Sequence, residues 1–153
     1  MASPRDQEAF DIVQDLLDRT DEAFFAADMP VLASTLHLPY HFGVGSSVIR
    51  IETYEELVAA FDWYRTYVTD LGATNCKRTC LKAKFKTQDV IIATFDLTFF
   101  DGDGKVVLAA EPSETVAMYL GLEWRFCTSD SKTKIDTDFE KPVRDEMNKA
   151  RKR

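Results

Sequence analysis

Val90-Ile91-Ile92-Ala93-Thr94-Phe95-Asp96-Leu97-Thr98-Phe99-Phe100, followed at once by Asp101-Gly102-Asp103-Gly104, is the stretch that decides the fold. A run rich in β-branched and aromatic residues that ends in Asp-Gly turn chemistry reads as a strand entering a tight hairpin. It is apolar on both faces: Ile91, Ala93, Phe95, Leu97 and Phe99 alternate with Val90, Ile92 and Phe100. A strand covered on both sides is central in its sheet or lies beneath another subunit.

Strands extend outward from it in both directions. Upstream, residues 74–87 alternate, with Thr79, Leu81, Ala83 and Phe85 on one face and Arg78, Lys82, Lys84 and Lys86 on the other, toward water or a partner. Gln88-Asp89 supplies the turn between the two. Downstream, residues 105–121 form a long strand that Pro112 interrupts with a bulge or kink. Residues 122–128 form the last strand, carrying Trp124 and Phe126.

The first half of the chain has the other periodicity. Ser3-Pro4 opens a helix, and Phe10, Val13, Leu16, Leu17, Phe24 and Phe25 give it an apolar stripe to about Ala27. Asp28-Met29-Pro30 stops that helix and starts a short second one, ending near His37. Residues 38–43 are extended because Pro39 biases its predecessor away from helix. Gly43, Gly45 and two serines turn the chain, and residues 48–51 complete a small hairpin. Thr53 with Glu56 is a capping box launching a third helix, whose buried stripe is Leu57, Phe61, Tyr64 and Val68. Helices first and long strands second, in a chain of 153 residues, predict an α+β cone: a strongly curved, mostly antiparallel sheet wrapped around three N-terminal helices. One domain is expected over residues 3–130. Residues 131–153 form a polar C-terminal segment, with a short helix at about 142–149 and a frayed basic tail.

Composition narrows the partners. The chain is 45% hydrophobic and 12% aromatic, enough for a proper core, and its eleven Phe suit either a wide sheet–helix interior or an apolar pocket. A net charge of −7 disfavours nucleic acid. Acidic residues crowd the first thirty positions, whereas the last thirteen are basic, so the tail and the first helix are candidates for mutual attraction. Three cysteines without a secretion signal argue for a reducing, cytoplasmic setting. No apolar run approaches the ~20 residues of a spanning helix, so no membrane association is expected.

Three motifs carry a family likeness. Phe24-Phe25-Ala26-Ala27-Asp28-Met29-Pro30-Val31-Leu32-Ala33 is similar to a helix–Asp–helix junction. Thr53-Tyr54-Glu55-Glu56-Leu57-Val58-Ala59-Ala60-Phe61 is similar to a third-helix entry. Ser113-Glu114-Thr115-Val116-Ala117-Met118-Tyr119-Leu120 with Glu123-Trp124-Arg125-Phe126 is similar to a final hairpin. Over about residues 5–130 the chain resembles the NTF2-like superfamily, and within it the SnoaL-like and ketosteroid-isomerase-like proteins. The resemblance implies a cone with a pocket between helices and sheet, and homodimers through the outer sheet face. It leaves function open, because this fold hosts isomerases, cyclases, dehydratases and non-catalytic binding domains.

The candidates for chemistry are few. His37 and His41 bracket Pro39-Tyr40 and share one side of an extended segment, where the cone turns into its cavity. Each is a candidate proton carrier, or else a helix cap and a satisfied core histidine. Asp96 stands in the most apolar strand, so it either looks into the pocket with a raised pKa or pairs with a cation across an interface. Glu111 adjoins the Pro112 kink, where bulges re-aim side chains. Tyr40, Tyr64 and Tyr119 are candidate hydrogen-bond donors to a ligand carbonyl, with Phe61 and Trp124 as apolar lining. Where ketosteroid isomerases need an aspartate, this chain has Tyr40-His41, so no catalytic role is carried over. Cys76 and Cys80 stand roughly 13 Å apart at ~3.3 Å per residue, too far to bridge. They read as inert thiols on a solvent or interface face. No metal is expected, since no third ligand accompanies the histidines. No cofactor is expected either, since no glycine-rich phosphate loop opens a helix.

Three functions remain open. One is a small-molecule binding domain that takes an apolar or aromatic compound. Another is a cofactor-free isomerase, cyclase or dehydratase moving protons through His and Asp or Tyr. The last is a non-catalytic dimerisation or partner-binding subunit.

Overall fold

The computed structural model describes residues 3–44, 47–133 and 140–151, with side-chain surroundings for all of these except 44, 47, 111, 130–133, 140, 141, 150 and 151. Helix α1 is Pro4–Ala26. Ser3 caps it, accepting the Asp6 N–H at 3.1 Å, and Pro4 takes the first helical position. Ala27 turns left-handed at φ 56°, and Asp28 caps α2, Met29–Ser34, by accepting the Val31 N–H. Helix α3, Tyr54–Asp70, opens on the Thr53–Glu56 capping box with both bonds made. Helix α4 is Glu140–Arg151.

Six strands follow the expected succession: β1 Leu36–Val44, β2 Ser47–Ile51, β3 Asn75–Thr87, β4 Val90–Phe100, β5 Val106–Leu120 and β6 Glu123–Thr133. They make one curved, open sheet in the order β2-β1-β6-β5-β4-β3. Only the β1–β6 pairing is parallel; the other four are antiparallel. The turn expected between β1 and β2 falls on residues 45–46, outside the described residues.

The concave face carries the core. Ile91, Ala93, Phe95, Leu97 and Phe99 of β4 are all buried against the helices. On the convex face Val90, Thr94, Asp96, Thr98 and Phe100 are half-buried and Ile92 is exposed. Pro112 acts as expected: Phe95 pairs with Ser113 and Leu97 with Ala110, so two residues of β5 stand opposite Asp96 alone and bend the strand.

Two readings are corrected here. The three expected N-terminal helices are present, and the C-terminal helix expected at about 142–149 is longer than read, Glu140–Arg151, and joins the core. Helix α4 packs on α3 through Val143 and Met147, both almost fully buried. These two residues lie four apart on an otherwise charged segment, a stripe too thin to read as core. The faces of β3 are also not those of a simple alternation. The register shifts between Cys80 and Lys82, so Leu81 is an extra residue. Cys76, Arg78 and Cys80 therefore face inward before the bulge, and Ala83 and Phe85 after it.

Strand β3 is a sheet edge, and α1 closes it. Gln14 Nε2 donates to the Arg78 carbonyl at 2.9 Å, and Gln14 Oε1 accepts the Cys80 N–H at 2.8 Å. One side chain thus mimics a neighbouring strand and blunts an edge that otherwise templates aggregation. Lys77 pairs with Asp18 at 2.8 Å alongside it. No helix among the described residues is long and apolar enough to cross a membrane.

Candidate functional site

Between α1, α3 and the concave sheet lies a cavity with about 50 Å³ of room for the centre of a water-sized sphere. A single water needs only ~10–15 Å³ on that measure, so the space has room for more than one. Thr20, Asp21 and Phe24 of α1 form one wall, and Phe61 and Tyr64 of α3 another. Leu36, Tyr40 and Phe42 of β1, with Phe126 and Ser129 of β6, form the floor. Cys76 and Arg78 of β3 and Phe95, Leu97 and Phe99 of β4 complete it.

Most of this lining is a connected aromatic cage. Phe42 meets Phe61 at 5.1 Å between centroids and Tyr64 at 5.6 Å, the latter edge-on at 86°. Phe24 contacts Phe61 at 6.0 Å and Tyr64 at 5.5 Å, and Tyr64 reaches Phe99 at 6.1 Å. Two of these contacts are edge-on and three are tilted, so Phe24, Phe42, Phe61 and Tyr64 each lean on at least two other rings.

The polar groups gather at one side. Arg78 Nε lies 2.7 Å from Asp21 Oδ1, with the two side chains only 11% and 13% exposed. The guanidinium sits over Phe95, 5.3 Å from its centroid, and near Phe126 at 6.0 Å. Asp21 also accepts from the Arg78 main-chain N–H. Burial pushes the Asp21 carboxyl above its ordinary value, against the pull of Arg78, while neighbouring Asp18 adds to the rise. The Arg78 guanidinium stays charged. Tyr40, buried and hydrogen-bonded to the Ser129 hydroxyl, is pushed up to about 12 by desolvation. The Cys76 thiol is raised by burial and then by Asp21, to which it hydrogen bonds. It is a protonated, unreactive thiol at neutral pH.

Of the residues singled out by sequence, Tyr40, Phe61 and Tyr64 line this cavity. The others stand elsewhere. Leu36, Tyr40 and Phe42 point inward, so His37 and His41 fall on the opposite parity of β1. His41 is exposed, across from Arg50 and Thr128, and His37 is half-buried. Asp96 lies on the convex side, where its Oδ1 accepts the Thr79 N–H at 3.1 Å. Tyr119 and Trp124 pack on each other at 5.5 Å, and Trp124 on Phe85 at 5.9 Å, under Arg5. Arg5 and Asp21 are sixteen residues apart on α1, about 24 Å along the helix at 1.5 Å per residue, so that cluster marks the far end of the concave face. The side chain of Glu111 lies outside the described residues. Among those that are described, no three His, Cys, Asp or Glu side chains converge as a metal-ligand set.

The sequence reading passed over Asp21 and Arg78. Asp21 was one acid among many on α1, yet it lies four residues after Leu17 and three before Phe24, inside the apolar stripe. Spacing alone signals it. Simple alternation groups Arg78 with the outward lysines, and only the bulge at Leu81 puts it on the other face.

No family model matches the chain, and no curated protein matches it. Solved structures do. A domain of unknown function with a cystatin-like fold from Nostoc punctiforme superposes with a TM-score of 0.66 at 10% identity, over 94% of this chain and 86% of that one. An NTF2-like protein with a cystatin-like fold from Novosphingobium aromaticivorans gives 0.63 at 12% identity, over 90% and 89%. The chain has the NTF2-like fold. A candidate dehydratase of the NTF2-like family from Streptomyces avermitilis gives 0.60 at 11% identity, over 84% and 99%. At such identities the likeness is one of architecture, and the NTF2-like cone hosts unrelated chemistries. The function of this chain therefore has to be argued from its own cavity.

Proposed function

We propose that this chain binds a small apolar or aromatic molecule in the cavity of its cone. The observation that carries the reading is the lining: an aromatic cage from α1, α3, β1 and β4 with its polar groups confined to one side. That is the composition of a small-molecule site, with apolar walls for affinity and a few polar groups for orientation. Toluene and indole, followed by saturation-transfer NMR, are expected to bind the wild-type chain. Phe61→Trp fills the cage, and at least tenfold weaker binding is expected from it. Equal binding by the folded variant places the ligands elsewhere and removes the reading.

A second reading has one observation in its favour. A carboxylate with a raised pKa (Asp21), a buried phenol (Tyr40) and a guanidinium (Arg78) approach the same cavity. This is the equipment of a cofactor-free isomerase, cyclase or dehydratase, with the carboxylate in place of the expected imidazole.

We also infer that two copies associate through the convex sheet face. Ile92 pairs in register with Val116, and Val90 with Met118, giving an apolar patch that includes Ile92 at 44% exposure. Exposed clusters of this kind mark association surfaces. Sedimentation velocity at about 100 µM is expected to show a dimer, and Ile92→Glu a monomer. A monomeric wild-type chain removes the proposal.

A further inference from the structure

We infer that the molecule bound in this cavity is an aromatic carboxylate whose anionic head docks on Arg78 beside the Tyr40 hydroxyl, and that its binding delivers a proton from solvent to Asp21. The inference rests on the reading that the cavity binds a small aromatic molecule, and it names the class.

The first argument is geometric. The guanidinium is held in the cavity wall by Asp21 on one atom, Nε, and by the faces of Phe95 and Phe126. Its orientation is therefore set before any ligand arrives. A planar fork fixed in this way matches the two oxygens of a carboxylate better than a single carbonyl, and charge-assisted bonds of this type are about twice as strong as neutral ones. The aromatic cage begins next to this group, so a ring bearing a carboxylate satisfies both parts of the wall.

The second argument is charge balance. Among the described residues lining the cavity, Asp21 is the one acidic residue and Arg78 the one basic residue. A ligand carboxylate makes the site negative in surroundings where like charges repel strongly. Every charged or titratable neighbour bears on where the imbalance is relieved. On α1, Asp18 adds to the repulsion at Asp21. On β3, Lys77 is spent on Asp18 at the rim, at 2.8 Å, and Cys76 is already protonated. On β1, Tyr40 holds its proton firmly and has none to accept. On α3 Tyr64 offers a phenol and on β6 Cys127 a thiol raised by burial, neither of them a carboxylate that can take up a proton. Asp21 therefore remains among the described residues, and burial already favours its neutral form. Proton uptake there frees the guanidinium for the incoming carboxylate.

The sign of the pH dependence follows. The complex binds a proton that the free chain holds less tightly. Affinity for a carboxylate ligand therefore strengthens as pH falls, until the free chain holds the Asp21 proton as well, while that for a neutral isostere does not change.

The test is isothermal titration with benzoate and with benzamide, each in two buffers of different ionisation enthalpy. Benzoate is expected to bind more tightly and to take up about one proton, whereas benzamide takes up none. Asp21→Asn keeps an acceptor for Arg78, and it should abolish proton uptake and flatten the pH profile. Arg78→Gln should weaken benzoate about tenfold or more, and by clearly more than it weakens benzamide. Benzamide binding as tightly as benzoate, or benzoate binding with no proton change, overturns the inference while the cavity remains a binding site. Failure of both ligands to bind removes the inference and the broader reading together. The two-buffer measurement needs only the wild-type chain, so an unfolded variant leaves the decision intact.

Discussion

Asp21→Ala is expected to cost roughly 3–5 kcal/mol of folding stability, a large share of the ~5–15 kcal/mol of an ordinary domain. The substitution strands the Arg78 guanidinium, 11% exposed and unable to shed its charge, against two aromatic faces with no counter-ion. The paired replacement Asp21→Leu with Arg78→Met should behave differently. It removes both charges from a site that desolvates them and leaves side chains that pack, so its stability is expected within about 2 kcal/mol of wild type, or above it. Urea unfolding of the single and double variants at pH 7 measures both. A mild single variant means that the pair is solvated and does not belong to the cavity wall. The pH dependence has a definite sign. The folded chain holds the Asp21 proton more tightly than the unfolded chain does, because burial outweighs Arg78. This group therefore favours the folded state increasingly as pH falls through its raised folded value toward the ordinary carboxylate value of 3.8, and disfavours it above. The wild type should gain on the double variant as the solution is acidified, the reverse of a carboxylate stabilised by its salt bridge.

The fold was legible wherever one period ran without interruption. Strand β4 spans Val90–Phe100 as read, because eleven residues alternate between two turns with no insertion. The Ser3-Pro4 start, the Asp28 junction and the Thr53–Glu56 box are local bonds between residues within three or four positions, so the sequence contains them entire. The site was less legible because it depends on an offset. A single extra residue, Leu81, exchanges the faces of β3 and sends Arg78 inward, and nothing in a run of alternating lysines marks where the bulge falls. The histidines attracted attention because they titrate near neutrality, but their parity in β1 follows from Tyr40 and Phe42, the residues that the cage requires. Chemistry ranked by residue type pointed to His41. Position on the apolar stripe points to Asp21, which looked like one more solvated acid.

Phe95→Ala is the other large effect, and it tests the architecture and the cavity together. Phe95 is fully buried on the concave face of β4, pairs in register with Cys80 and Ser113, and lies beneath Arg78. Removing its ring deletes buried area, leaves a void and withdraws one face from the guanidinium. The expected loss is roughly 3–5 kcal/mol. At ~2–4 °C per kcal/mol for a chain of this size, the melting temperature should fall by roughly 6–20 °C. Phe100→Ala, on the convex parity of the same strand and only half-buried, should cost far less, about 1 kcal/mol. Equal losses at the two positions contradict the assignment of the faces. The void also opens into the cavity that Phe95 lines, so the Ala variant presents a larger apolar space. Benzene should then raise the melting temperature of Phe95→Ala more than that of the wild type, by up to about 2.7 kcal/mol of stabilisation at a hundredfold excess over its dissociation constant. Differential scanning fluorimetry with and without benzene measures this. A variant that is destabilised but gains nothing from benzene has a cage that collapsed when the ring was removed, and the aromatic walls then do not hold each other open as their mutual contacts imply.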